Sequence, residues 1–143
     1  MARELTYETI KAHLVTTFTP MPVIDFDTID TAMEQQSAPF ICLEDVTSDE
    51  EVVGFGDPDN ICVREESAFL IHAFVPAPES ARLARNLGDR ITAALRLQYL
   101  QRVRVVSVSP PEMELQNDGL WTASAVTLMT SADFHEPFVP AGP

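Results

Sequence analysis

Three histidines, two cysteines and a run of carboxylates are the residues of this chain whose types could carry chemistry. His13, His72 and His135 stand far apart and form no H-x-x-H or H-E-x-x-H spacing. His72 lies in an apolar stretch, which predicts a partly buried, hydrogen-bonded imidazole rather than a metal ligand. Cys42 and Cys62 are too few for a disulfide framework and match no zinc spacing. Both sit among apolar residues, where a free thiol behaves as a small hydrophobe and is expected to stay reduced in a cytoplasm. A nucleophilic cysteine needs a helix N-terminus or a cation beside it, and only Arg64 stands near Cys62. The acids Glu44, Asp45, Asp49, Glu50 and Glu51 are oxygen donors of the kind calcium takes. They lack the D-x-[DN]-x-[DN]-G loop that would arrange them, and so do Asp25, Asp27 and Asp30. Gly54 and Gly56 frame a G-x-G with no third glycine and no helix after it, so no phosphate cradle is expected. No G-x-S-x-G and no P-loop occurs. Trp121 reads as a core or interface anchor. The expectation is a protein without catalytic, metal or cofactor residues, not an enzyme. The alternative is a small cytoplasmic enzyme or ligand-binding domain with an unrecognised site.

Charge is the stronger signal. Of 143 residues, 22 are acidic and 9 are Lys or Arg, a formal net charge of −13. That balance excludes a general nucleic-acid surface, which needs clustered cations. Residues 1–60 hold 13 of the acids against Arg3 and Lys11 alone. Residues 61–109 hold seven arginines and four acids, and residues 110–143 hold five acids and no base. One acidic surface and one arginine-bearing surface are therefore expected, able to meet each other across an interface. Arg82, Arg85, Arg90 and Arg96 are the candidate interface residues. Glu44, Asp45, Asp49, Glu50, Glu51, Asp57 and Asp59, with no base between them, are the candidate acidic lumen or rim.

The elements that must position these groups follow from periodicity. Ile10, Leu14 and Phe18 repeat every four residues behind Thr6, a cap candidate, and Pro20 and Pro22 end that helix. VIDFDT at 23–28 reads as a short strand, and 30–36 as a loop or helical turn. Residues 40–56 read as a hairpin: strand FICLEDV, acidic turn TSDEE, return strand EVVGFG, then a DPDN turn at 57–60. The run from Cys62 to Val75 is apolar on both faces, as a central strand covered on both sides would be. A helix is predicted over 79–99, led by Pro78 and with Leu83, Leu87, Ile91 and Leu95 facing the core. Phe69 and Ile71 should join that core. VRVVSV at 103–108 is a strand, Asn117-Asp118-Gly119 a turn, and 121–130 a last strand paired with either 103–108 or 112–116. No apolar run approaches the ~20 residues of a membrane span, and the N-terminus has no signal-peptide core. The expected fold is α+β: a mostly antiparallel sheet with two helices on one face and an inserted acidic hairpin. It should occupy 1–134 as a single domain, leaving 135–143 as a Pro-rich arm.

Taken together, the pattern resembles the tail terminator family (tail completion, minor tail or neck proteins) of long-tailed bacteriophages. The residues that carry it are Tyr7-Glu8-Thr9-Ile10 in the opening helix and the strand Ser67-Ala68-Phe69-Leu70-Ile71-His72-Ala73-Phe74-Val75-Pro76. The helix Ala81-Arg82-Leu83-Ala84-Arg85-Asn86-Leu87-Gly88-Asp89-Arg90-Ile91 follows, and the strands at 103–108 and 121–130 close the unit. The likeness spans about residues 1–134 and departs over 20–60. It implies a structural virion protein that forms a ring, commonly a hexamer, at the head-proximal end of the tail. Such a ring stops tube growth and joins the tail to the head connector. The implied partners are further copies of the chain, the tail tube protein and a head-side connector or stopper protein. DNA would pass through the lumen without specific binding. The implied location is the virion, after assembly in the host cytoplasm, with no membrane and no cofactor.

Overall fold

The computed structural model describes residues 2–77, 81–114 and 120–138. They form an α+β fold with a curled, mostly antiparallel seven-stranded sheet and three helices. Helix α1 (Glu4–Phe18) leads to β1 (Val23–Asp25), a 3₁₀ turn (Phe26–Thr28) and α2 (Ile29–Gln35). Three strands build the middle of the sheet: β2 (Phe40–Gly54), β3 (Ile61–Pro76) and, at the end of the described chain, β7 (Trp121–Glu136). Between β3 and β7 come α3 (Ala81–Leu95), β4 (Tyr99–Leu100), β5 (Val103–Val108) and β6 (Glu112–Glu114). The strand order is β1-β2-β3-β7-β5-β4, with β6 also on β7; β1 runs parallel to β2 and every other pair is antiparallel.

Alternation along β3 sorts the core into two clusters. Phe69, Ile71 and Ala73 join Ile10, Leu14 and Phe18 of α1 with Leu87, Ile91 and Leu95 of α3. Phe74 instead joins Phe40, Cys42, Trp121 and Ala123, with Ala32 of α2. Phe40 and Phe74 stack at 4.9 Å, and Trp121 meets Phe40 edge-on at 5.1 Å. Trp121 thus anchors the second cluster.

The hairpin expected within 40–56 does not form. Residues 47–51 continue β2, opposite Ala68, Ser67, Glu66, Glu65 and Arg64 of β3. Strand alternation sends these acids to opposite faces, which relieves the crowding that a turn would impose. A bulge at Val46 resets the register, and the chain reverses only at 55–60. There the Asp57 carbonyl accepts the Asn60 amide at 3.0 Å and its carboxylate accepts the Asp59 amide at 3.0 Å.

Helix α1 begins at Glu4, so Thr6 lies buried within its first turn and does not cap it. The Arg3 amide at the cap position donates instead to Oε2 of Glu65 at 2.6 Å, placing a buried carboxylate at the positive helix end. The stretch 30–36, expected as a loop or helical turn, lies almost wholly in α2 and is helical. Helix α3 stops at Leu95 rather than 99, because Tyr99 and Leu100 pair with β5. Leu83 is exposed, not in the core; Ala84, Leu87, Gly88, Ile91, Thr92 and Leu95 face inward. The cause is close approach at Gly88, where an added Cβ would lie 2.6 Å from Cβ of Pro111 and 2.8 Å from Oγ of Ser124. Ser124 also donates to the Ala84 carbonyl at 2.7 Å, so the small residues sit on the sheet and Leu83 rotates away. Strand β7 takes both of its alternative partners, β6 near its start and β5 further on. It runs through His135 and Glu136, the first residues of the expected arm; Phe138 then packs edge-on against Phe55 at 5.4 Å. The helix start at 78–80, the turn at 117–119 and the arm beyond 138 lie outside the described residues.

Candidate functional site

The sheet separates the charges. At the β1–β2 side, a groove of about 480 Å³ is lined by Glu4, Glu8, Asp25, Asp27, Glu44 and Asp45, with Tyr7 and Phe26 as its aromatic walls. Three of these acids, Asp25, Glu44 and Asp45, are held internally, Glu44 by His72. The Tyr7 hydroxyl donates to Asp25, and Lys11 pairs with the same carboxylate at 3.0 Å. Those hydrogen bonds hold the Asp25 carboxyl below its usual range, while burial first and Asp25 second push the Tyr7 phenol up. Asp45 accepts the Ala2 amide at 2.9 Å.

Arg3 ties the N-terminus across the sheet. Its guanidinium bridges Glu50 at 2.8 Å and Glu136 at 3.0 Å, and lies 4.4 Å from the centre of the Phe134 ring. The Arg3 bond lowers the Glu50 carboxyl from its ordinary value.

His72 of β3 is buried between carboxylates of two other strands. Its Nε2 lies 2.8 Å from Glu44 of β2 and its Nδ1 lies 2.8 Å from Glu114 of β6, while Phe26 stacks on the ring at 5.6 Å. A carboxyl group at each nitrogen favours the imidazolium, in which both N–H groups can donate. Cys42, directly opposite His72 in the ladder, has its thiol pushed up to about 12 by burial and the nearby acids, so its thiolate is disfavoured.

Elsewhere the sign inverts, along α3, which packs on β3 and β7, and around the β4–β5 edge. Arg82, Arg85, Arg90 and Arg96 stand exposed along α3 and its end, with Arg90 over the Phe18 ring at 5.3 Å. A groove of about 690 Å³ is lined by Arg64, Arg102, Arg104, Tyr99, Ser131, Asp133 and His135. Arg64 is neutralised by Asp133 at 2.8 Å. Among the described residues, Arg82, Arg85, Arg90, Arg96, Arg102 and Arg104 make no ion pair within 4 Å; the cations that do are Arg3, Lys11, Arg64 and His72.

The seven candidate acids are therefore not one tip. Glu44, Asp45 and Glu50 hold His72, the N-terminus and Arg3, whereas Asp49, Glu51, Asp57 and Asp59 make no ion pair among the described residues. Sequence reasoning missed Arg102 and Arg104 as site residues, although their alternation within VRVVSV and the preceding turn already placed them on one strand face. It had no signal for Glu114 beside His72, a contact 42 residues apart. Among the described residues no group of three or more His, Cys, Asp or Glu is placed to hold a metal ion, and no helix is long and apolar enough to cross a membrane. Compared with protein-family models and with curated proteins, the sequence matches none.

Proposed function

We propose that this chain is a ring-forming structural protein of a long-tailed phage. In this reading it sits at the head-proximal end of the tail, ends tube growth and joins the tube to the head-side connector. The observation that carries the self-association is the polarity of charge. Six arginines between Arg82 and Arg104 have no ion-pair partner within the described chain, although that chain is strongly acidic elsewhere. Unpaired cations on one side and unpaired acids on the other suit a head-to-tail contact, which closes into a ring when the rotation allows. The element order supports the phage assignment through the resemblance described above. Helices α1 and α3 form the helical layer on one face, and the reversal at the end of the acidic β2–β3 hairpin borders the lumen with Asp57 and Asp59. Like charge there would let DNA pass without sticking. The ring assembles in the host cytoplasm and stays in the virion.

The test is double charge reversal, Arg82→Glu with Arg90→Glu, in the purified chain, with and without tail tubes. Ring formation and tube capping should be lost while the far-UV spectrum and melting temperature stay near those of the wild type. Unchanged assembly overturns the α3 interface, and a wild type that neither self-associates nor binds tubes overturns the function.

A further inference from the structure

The two ends of the sheet differ in charge and in how completely they are paired. Strand β1 covers β2 only at residues 41–43. Beyond that point β2 has β3 on one side, and no described strand lies along residues 49–54 on the other. This open edge carries Asp49, Glu50 and Glu51, followed by Val52 and Val53, which are 54% and 41% exposed. An unguarded edge of β-branched residues is a template for strand addition, and the acids restrict what it accepts to a basic partner.

The opposite end supplies such a partner. Strand β4 is two residues long and pairs only with 103–104, which leaves residues 106–108 of β5 without an outer strand among the described residues. Around this edge Leu97, Tyr99 and Val106 are 93%, 68% and 56% exposed. Leu97 also has a φ of 60°, a left-handed backbone that a branched apolar residue rarely adopts. Arg96, Arg102 and Arg104 stand among them unpaired, beside the 690 Å³ groove.

We infer that residues 49–54 of β2 dock against the β4–β5 edge of a second copy of this chain, continuing the sheet from one subunit to the next. The inference rests on the self-association proposed above and names its contact. Asp49 and Glu51 meet Arg102 and Arg104 of the neighbour, and the exposed valines meet Leu97, Tyr99 and Val106. Pairing of two like edges is refused, because it sets acid against acid or arginine against arginine. Only the head-to-tail arrangement survives, and it is the one that generates rings.

Two variants of the full chain test this: Asp49→Lys with Glu51→Lys, and Arg102→Glu with Arg104→Glu. The first has two basic edges and the second two acidic ones. Each alone should be monomeric in sedimentation velocity at low salt, while an equimolar mixture should assemble with the two chains alternating. Recovery on mixing also shows that both variants fold. Amide exchange over 49–54 should slow on assembly of the wild type. A mixture that stays monomeric, or either variant assembling alone as the wild type does, overturns the edge contact and leaves a ring built through α3. A wild type that stays monomeric, alone and with tail tubes, overturns the ring and the edge together.

Discussion

His72 joins three strands through one imidazole. Glu44 of β2 and Glu114 of β6 each lie 2.8 Å from one of its nitrogens, and its side chain is 7% exposed. Burial alone would lower the pKa of the ring. The hydrogen bonds to Glu114 and Glu44, together with their charges, more than reverse that, and the net shift is upward. A group whose pKa is higher folded than unfolded binds its proton more tightly in the native state. Its stabilisation is then complete below the unfolded value of about 6.5 and is lost as pH rises through the folded value. The urea midpoint of the wild type should therefore fall as pH is raised from about 6.5 into the mildly alkaline range. His72→Gln should flatten that slope while lowering the midpoint at pH 6. A parallel fall in both proteins would mean that His72 is not the titrating group. An apolar run around a histidine predicted a partly buried, bonded imidazole; it is bonded, and buried more fully than that. The identity of its partners was not legible, since Glu44 and Glu114 lie 28 and 42 residues away.

At the scale of the element, α3 shows how much a pattern can mislead by one residue. Spacing placed Leu83 in the core with Leu87 and Ile91, as a wide apolar stripe allows. The helix is turned so that Ala84 and Gly88 touch the sheet instead, and Leu83 is 49% exposed. Gly88→Ala tests that register. Alanine gains about 1 kcal/mol in helix propensity. Its Cβ, however, would meet Pro111 at 2.6 Å and Ser124 at 2.8 Å, and overpacking of that kind costs about 1–3 kcal/mol. A net loss of up to about 2 kcal/mol is expected, read as a lower denaturant midpoint at unchanged slope. A gain of about 1 kcal/mol would place Gly88 on open surface. The misplaced turn in β2 has a similar origin. TSDEE is turn-like in composition, but the β3 residues opposite it hold it extended, and only 55–60 lack such a partner.

Across the whole molecule, salt should act on two quantities in opposite directions. The screening length falls from about 10 Å at 0.1 M to about 3 Å at 1 M. In the ring proposed above, screening would weaken the attraction between the arginines of one copy and the acids of the next. It also relieves the self-repulsion of a chain carrying −13, which favours the compact monomer. Raising sodium chloride over that range should thus dissolve the assembly in sedimentation velocity while the melting temperature of the monomeric Arg82→Glu, Arg90→Glu variant holds or rises. Assembly that strengthens with salt would point to an apolar interface in place of the charged one.

The α+β class, the central place of β3, the helical stripe of α1 and the division of charge along the chain are all legible in the residues alone. Each is written in local periodicity or composition, and local periodicity reports burial on one face of one element. Tertiary structure alone decided that residues 40–54 form one strand, that Arg3 closes on Glu50 and Glu136, and that His72 sits between Glu44 and Glu114. It also decided that the acidic strand β2 and the β4–β5 edge with Arg102 and Arg104 lie toward opposite ends of one sheet, while the α3 arginines lie over its middle strands. These outcomes depend on which strand lies beside which. Strand order is set by pairing between residues far apart in the chain, and no short stretch of sequence records its distant neighbour.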